Sequence, residues 1–365
     1  METQDFEEYA RQKTARSGRI PLSGSLEVTW RCNLTCVHCY MSAYRREPEL
    51  STDEIKRILD ELADAGCLRL LITGGEPLLR KDFRELWRYA KAKGFLLTLF
   101  TNGTLVDDET AAFLSDLPPT LCEITLYGAS ADTYLRACGS AEAFQAALDG
   151  IDRLSRAGLR LNIKGMAFHE NADDMEALQA LCAGRGLEFS FDTDIFPRLD
   201  RDPEPFRHAL PPEEGVRRVL GSELHRKVWR EQADDWRAAQ AKPLSRAGKV
   251  VVCRAGKWSF HIGPFGDLCL CMLLRTPSFS LRNGPFLEGW NTVIRDLVEL
   301  ERSTPLACMG CPDLKYCVPC AGRNLLETGS VETAAPAQCR RSHAVAICQE
   351  GRLEDVEEVV SHGGK

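Results

Sequence analysis

An α/β fold built on a parallel sheet is predicted by three observations. Six short apolar runs recur between residues 26 and 192, and five helix-periodic stretches separate them. Glycines close several of those helices, as a residue free to take φ > 0 should. Some runs are continuously apolar, the mark of a strand covered on both faces. The alternation admits two architectures, an open doubly wound sheet or a partial barrel. In both, functional groups collect at the carboxyl ends of the strands.

In order, residues 1–24 are a polar lead-in with helical character, and residues 26–30 (LEVTW) form the first strand. Ser51 and Glu54 make a capping box, each side chain satisfying an orphan amide of a first turn. Ile55, Ile58, Leu59 and Leu62 continue that helix to Gly66. Residues 68–73 (LRLLIT) form the second strand. A helix opening at Asp82 carries Phe83, Leu86, Trp87 and Ala90 to Gly94. Residues 95–100 form the third strand, followed by a short helix around 109–114 and a fourth strand at 121–126. Phe144, Ala147, Leu148, Ile151 and Leu154 mark the next helix, ending at Gly158. The fifth strand, 159–164, the helix with Met175, Leu178, Leu181 and Cys182, and the sixth strand, 187–192, complete the series.

The strand domain therefore covers 25–196. Pro197, Pro203, Pro205, Pro211 and Pro212 break the alternation and open a helical bridge over 197–248. A cysteine-rich domain follows over 249–350, and 351–365 is a frayed tail.

The net charge of −7 argues against a nucleic-acid partner, which demands a basic surface. The first residues contain no apolar signal core, and no apolar run approaches a bilayer span. A cytoplasmic protein with no membrane partner is expected. There the sixteen cysteines stay reduced, so metal or cluster binding explains them better than disulfides.

Cys32, Cys36 and Cys39, spaced C-x3-C-x2-C, lie directly after the first strand. One short loop can aim three thiolates at one inorganic centre but not easily a fourth. Cubane clusters are ordinarily held by four cysteines, so three imply an iron with an open position. Structural zinc sites want four closed ligands. After the second strand, Gly74-Gly75-Glu76-Pro77 lets the backbone approach a ligand closely, with Glu76 able to meet a cationic amine. Thr101-Asn102-Gly103 follows the third strand, Thr125 ends the fourth, and Lys164 ends the fifth, where it can neutralise a carboxylate.

This pattern resembles the radical S-adenosylmethionine (SAM) enzymes. The resemblance implies a partial (β/α)6 barrel like that of triosephosphate isomerase. It implies a 4Fe–4S cluster on Cys32, Cys36 and Cys39 whose open iron is chelated by SAM. It also implies SAM contacts: Gly74, Gly75, Glu76 and Pro77 at the amino group, Asn102 and Thr125 bordering the site, and His38 near the adenine, with Lys164 on the same rim.

Cys308, Cys311, Cys317 and Cys320, alone, suggest a zinc knuckle. Adding Cys253, Cys271 and Cys339 gives seven, more than one metal takes, and two clusters account for them. The order resembles the SPASM domain appended to peptide-modifying members of the family, except that Cys317 and Cys320 are one residue closer than its usual last pair. The resemblance implies two auxiliary 4Fe–4S clusters, the first on Cys253, Cys271 and Cys320, the second on Cys308, Cys311, Cys317 and Cys339. Either Cys269 completes the first or one of its irons stays open. Cys122 and Cys182 read as core residues, and Cys138 as a packing cysteine with hydrogen-atom donation as the alternative.

The function implied is hydrogen abstraction, by a 5′-deoxyadenosyl radical, from a ribosomally made precursor peptide. Thioether or carbon–carbon bonding, oxidation or epimerisation would follow. The expected partners are that peptide, a separate leader-recognition protein and a flavodoxin- or ferredoxin-type reductant. A sulfatase-type maturase is disfavoured by Met272, where that group carries an acidic residue. Haem or sugar side-chain oxidation, and a non-catalytic zinc protein, are the other readings.

Overall fold

The structure is a computed structural model that describes residues 3–41, 47–221, 248–304 and 307–349. Strands β1 (Ser23–Thr29), β2 (Arg69–Gly74), β3 (Leu96–Thr101), β4 (Leu121–Leu126), β5 (Leu161–Met166) and β6 (Phe189–Asp192) are all parallel. Their spatial order is their chain order, β6-β5-β4-β3-β2-β1. A sheet that winds in one sense never reverses order, so it is the partial barrel and not the doubly wound alternative.

Between the strands run α2 (Thr52–Asp64), α3 (Phe83–Ala92), α4 (Asp108–Asp116), α5 (Ala131–Cys138), α6 (Glu142–Arg156) and α7 (Met175–Ala183). The capping box at Ser51 and Glu54 is present. Ile55, Ile58, Leu59 and Leu62 are buried in one core with Leu26, Val28, Leu97, Leu99 and Ile124. Truncating any one of these to Ala would cost about 2–5 kcal/mol. Because side chains alternate along a strand, the residues between them line the opposite, inner face: Glu27, Thr73, Phe100, Glu123, Thr125 and Lys164.

Three features extend the sequence reading. The lead-in is a helix, α1 (Thr3–Ser17), that buries Phe6 and Ala10 with Leu22. Helix α5 is additional; Ser130 caps it by accepting from Thr133 N, and Gly139 ends it at φ +78°. The cysteine-rich region adds strands to the same sheet. β7 (Ser259–Ile262) pairs parallel with β1, and β8 (Asp267–Cys269) and β9 (Phe279–Ser280) follow antiparallel. Of the bridge helix, α8 (Pro212–Gly221) is seen, packed on the helix Pro336–Gln349 through Val216, Ala344 and Val345. Residues 222–247 and the tail 351–365 lie outside the described residues.

Candidate active site

Backbone contacts assemble the rim. Gly75 N donates to Thr29 O (2.8 Å) and Glu76 N to Arg31 O (2.9 Å), stitching the loop after β2 to the chain entering the cysteine loop. A Cβ on Gly74 would stand 2.1 Å from Thr29 O, and one on Gly75 2.4 Å from Arg31 O. Glycine is required here because two backbones touch.

Glu76 is fully buried and turned inward. Its Oε1 accepts from Thr101 Oγ1 (2.8 Å) and Leu78 N (3.1 Å), and its Oε2 from Asn102 N (2.8 Å). Burial pushes the carboxyl up to about 7, against the pull of these donors. The Glu76 side chain thus braces the loop after β2 against the loop after β3. Pro77 opens a short 3-10 turn behind it. Asn102 reaches the cysteine loop: Nδ2 donates to Asn33 Oδ1 (2.9 Å) and lies 3.9 Å from Cys32 Sγ.

Cys32 is exposed, and Cys36 and Cys39 are half-buried. Burial holds the Cys32 and Cys39 thiols above their ordinary range. Cys36 is held up first by a hydrogen bond with Cys138, then by burial and by its two neighbouring cysteines. The three thiols are thus near enough to act on one another, a soft donor set fitted to iron–sulfur ligation. His38 packs its ring 4.5 Å from Phe168 and 5.5 Å from Tyr127. Burial pulls it down to about 4, so it is neutral at pH 7. Thr125 and Lys164 stand opposite each other on β4 and β5. Lys164 pairs with Glu123 and sits 4.6 Å over the Phe100 ring.

The C-terminal cysteines fall into two groups. Cys253, Cys271 and Cys320 act electrostatically on one another. Cys308, Cys311, Cys317 and Cys339 do likewise. The Cys269 thiol can donate to Asp267 O or Arg275 O, each at 3.5 Å, and it also acts electrostatically with Cys271. Asp313 and His343 approach Cys311.

Sequence reasoning missed a buried ionic cluster between the two cysteine regions. Glu27, 1% exposed, accepts from Arg275 Nη1 (2.8 Å), Arg275 Nη2 (2.6 Å) and Trp30 Nε1 (2.7 Å). His261 lies 3.6 Å away and bonds Ser25 Oγ through Nδ1 at 2.7 Å. The available signal was a glutamate inside an otherwise apolar strand. Cys138, fully buried, faces Cys36 and not the inner face.

A parallel partial barrel with three thiols on one rim loop defines an iron–sulfur enzyme frame. The Radical SAM superfamily model matches residues 26–182. Mycofactocin maturase MftC of Mycolicibacterium smegmatis is 30% identical over 321 residues, which are 81% of this chain and 77% of that protein. The chain belongs to the radical SAM superfamily. An Fe-coproporphyrin III synthase of Methanosarcina barkeri is 39% identical over 153 residues, 41% of this chain. The chain spans 38% and 42% of the length of two synthase relatives, and 92% of an AdoMet-dependent heme synthase of Methanosarcina barkeri at 28% identity. SuiB of Streptococcus suis, solved bound to precursor peptide SuiA, superposes with a TM-score of 0.68 at 17% identity, covering 91% of this chain and 79% of that one. At that identity the likeness is one of fold.

Proposed function

We propose that this chain is a peptide-modifying radical SAM enzyme acting on a ribosomally made precursor. Cys32, Cys36 and Cys39 would hold a 4Fe–4S cluster with one iron left for SAM. Bound together there, cluster and SAM would supply reductive SAM cleavage and hydrogen abstraction from an unactivated carbon. The chain's own work is placement. The backbone of Gly74 and Gly75 would take the SAM amino group, with Glu76 and Asn102 fixing that loop against the cysteine loop. Neutral His38, backed by the fully buried Phe168 and by Tyr127, would offer its ring to the adenine. Thr125 and the Lys164–Glu123 pair face the inside of the barrel, where the substrate must enter and water must be kept out.

The observation that carries the peptide reading is the pair of cysteine groups beside the barrel. Cys253, Cys271 and Cys320 would hold one auxiliary cluster, and Cys308, Cys311, Cys317 and Cys339 the other. Cys269, which also acts on Cys271, would complete the first cluster or leave one of its irons open. The maturase relative, matched along 77% of its length, supports the same class. A flavodoxin- or ferredoxin-type protein would supply the electron, and a separate protein would recognise the leader. Reduced cysteines in this number suit the cytoplasm; among the described residues no helix is long and apolar enough to cross a membrane.

A second reading, side-chain chemistry on an iron porphyrin, is favoured by the 39% identity to the coproporphyrin-named synthase. Mass spectrometry decides between them. The peptide reading expects a mass change in a precursor co-expressed from the neighbouring gene and none in Fe-coproporphyrin III. A modified porphyrin with an unmodified peptide would overturn it.

A further inference from the structure

We propose that Asn171 is a positioning residue for the nucleoside part of SAM, fixing the loops after β4 and β5 so that Tyr127 and Phe168 hold the His38 ring in place. This rests on the SAM site proposed above and not on the peptide substrate.

Asn171 lies in the loop after β5 and is 2% exposed. Its side chain makes three hydrogen bonds, all to backbone. Oδ1 accepts from Phe168 N at 2.8 Å. Nδ2 donates to Met166 O at 2.8 Å and to Tyr127 O at 2.9 Å. Two of these partners are carbonyls and one is an amide, so only one orientation of the side chain serves all three. The bond to Tyr127 crosses between strand ends, because Met166 ends β5 and Tyr127 directly follows β4. A second stitch lies beside it, where Ala129 N donates to Asp174 Oδ2 at 2.7 Å.

Both loops carry rings that pack on His38. Phe168 stands 4.5 Å and Tyr127 5.5 Å from its ring, centroid to centroid. Phe168 is fully buried in a cluster with Ala137 and Ile195, and Val37 of the cysteine loop packs against that cluster. His38 Nδ1 is buried and has no hydrogen-bond partner among the described residues. No bond at Nδ1 therefore aims the ring, and the rings beside it do. Tilted aromatic contacts are individually weak, so His38 is only as fixed as the backbone that carries Phe168 and Tyr127. Asn171 ties that backbone together across two strands. A surface ordered before binding spares the ligand the cost of ordering it.

The test uses the reconstituted holoprotein with all clusters loaded and two probes, SAM and free methionine. Both carry an amino and a carboxylate group, and only SAM carries the nucleoside. Isothermal titration without reductant gives the SAM affinity. Electron paramagnetic resonance of the reduced protein gives the methionine affinity. Asn171→Ala should weaken SAM binding about tenfold and leave methionine binding unchanged. In a His38→Leu background the same substitution should cost far less SAM affinity, because the ring it positions is gone. Asn171→Ser, which keeps one donor and one acceptor, should show the same pattern in smaller measure. An unchanged SAM affinity, an equal loss for methionine, or a loss just as large in the His38→Leu background would overturn the proposal. Failure of both Asn171 variants to load their clusters would overturn it too, since the residue would then hold the fold and not the nucleoside. A parent protein that binds no SAM refutes the SAM site itself instead.

Discussion

Arg275→Met tests the least expected feature of the interior, the ion pair joining β1 to the segment after Cys271. Glu27 is 1% exposed and takes two bonds from Arg275, at 2.6 and 2.8 Å. Removing the guanidinium leaves a carboxylate with Trp30 Nε1 and His261, in a site water does not reach. Breaking a buried pair from one side costs about 3–5 kcal/mol, whereas replacing both partners is far cheaper. Arg275→Met should therefore destabilise by that amount and Glu27→Gln/Arg275→Met by much less, giving a coupling of about 2–3 kcal/mol. The sign of the pH dependence separates this from lost packing. Burial pushes Glu27 up, but His261 and Arg275 hold it well below the ordinary carboxylate range. In the parent, its contribution is present above the ordinary pKa and fades only in acid. In Arg275→Met, burial is opposed only by His261 and the Trp30 bond, so the folded-state pKa rises. The variant should then be closer to the parent at pH 5.5 than at pH 8. Urea unfolding followed by circular dichroism at both pH values measures this. A coupling below about 1 kcal/mol, or a deficit independent of pH, would refute the reasoning.

Further outcomes follow from the rim. Replacing Cys32, Cys36 and Cys39 together by Ala should abolish SAM cleavage and remove about four irons per chain while the C-terminal iron remains; iron analysis and 5′-deoxyadenosine assays check this. Glu76 is raised to about 7 by burial, so ionising it costs folding free energy as pH climbs from its unfolded value towards 7. The SAM-free parent should lose about 3 kcal/mol across that window, and Glu76→Gln should remove that part of the loss, as thermal unfolding against pH will show. Gly75→Ala should weaken cluster retention, because its Cβ would lie 2.4 Å from Arg31 O; the iron content of the purified protein reports it.

Much of this molecule was legible in the sequence because local rules govern it. Apolar runs gave all six parallel strands to within two or three residues, and Ser51 with Glu54 fixed the start of α2. The C-x3-C-x2-C spacing placed Cys32, Cys36 and Cys39 on one loop directly after β1. What stayed hidden depends on distant pairings. β7 joins β1 across more than 230 residues, which no periodicity records. Helix α5 is short, though its Ser130 cap and Gly139 stop were readable. Glu76 sits in the expected loop, yet the direction of its carboxylate depends on β3 lying beside β2. Cys138 carries no motif, and only the docking of α5 on the cysteine loop brings its backbone to Thr35.

Whether an iron at the rim loop is left for SAM is most directly measured by resonance on the reduced protein with SAM isotopically labelled in its amino and carboxylate groups. The account predicts strong coupling of both labels to the cluster, lost when Cys32, Cys36 and Cys39 are replaced. A cluster whose spectrum ignores SAM, its fourth iron already taken by a side chain such as Cys138, would contradict it.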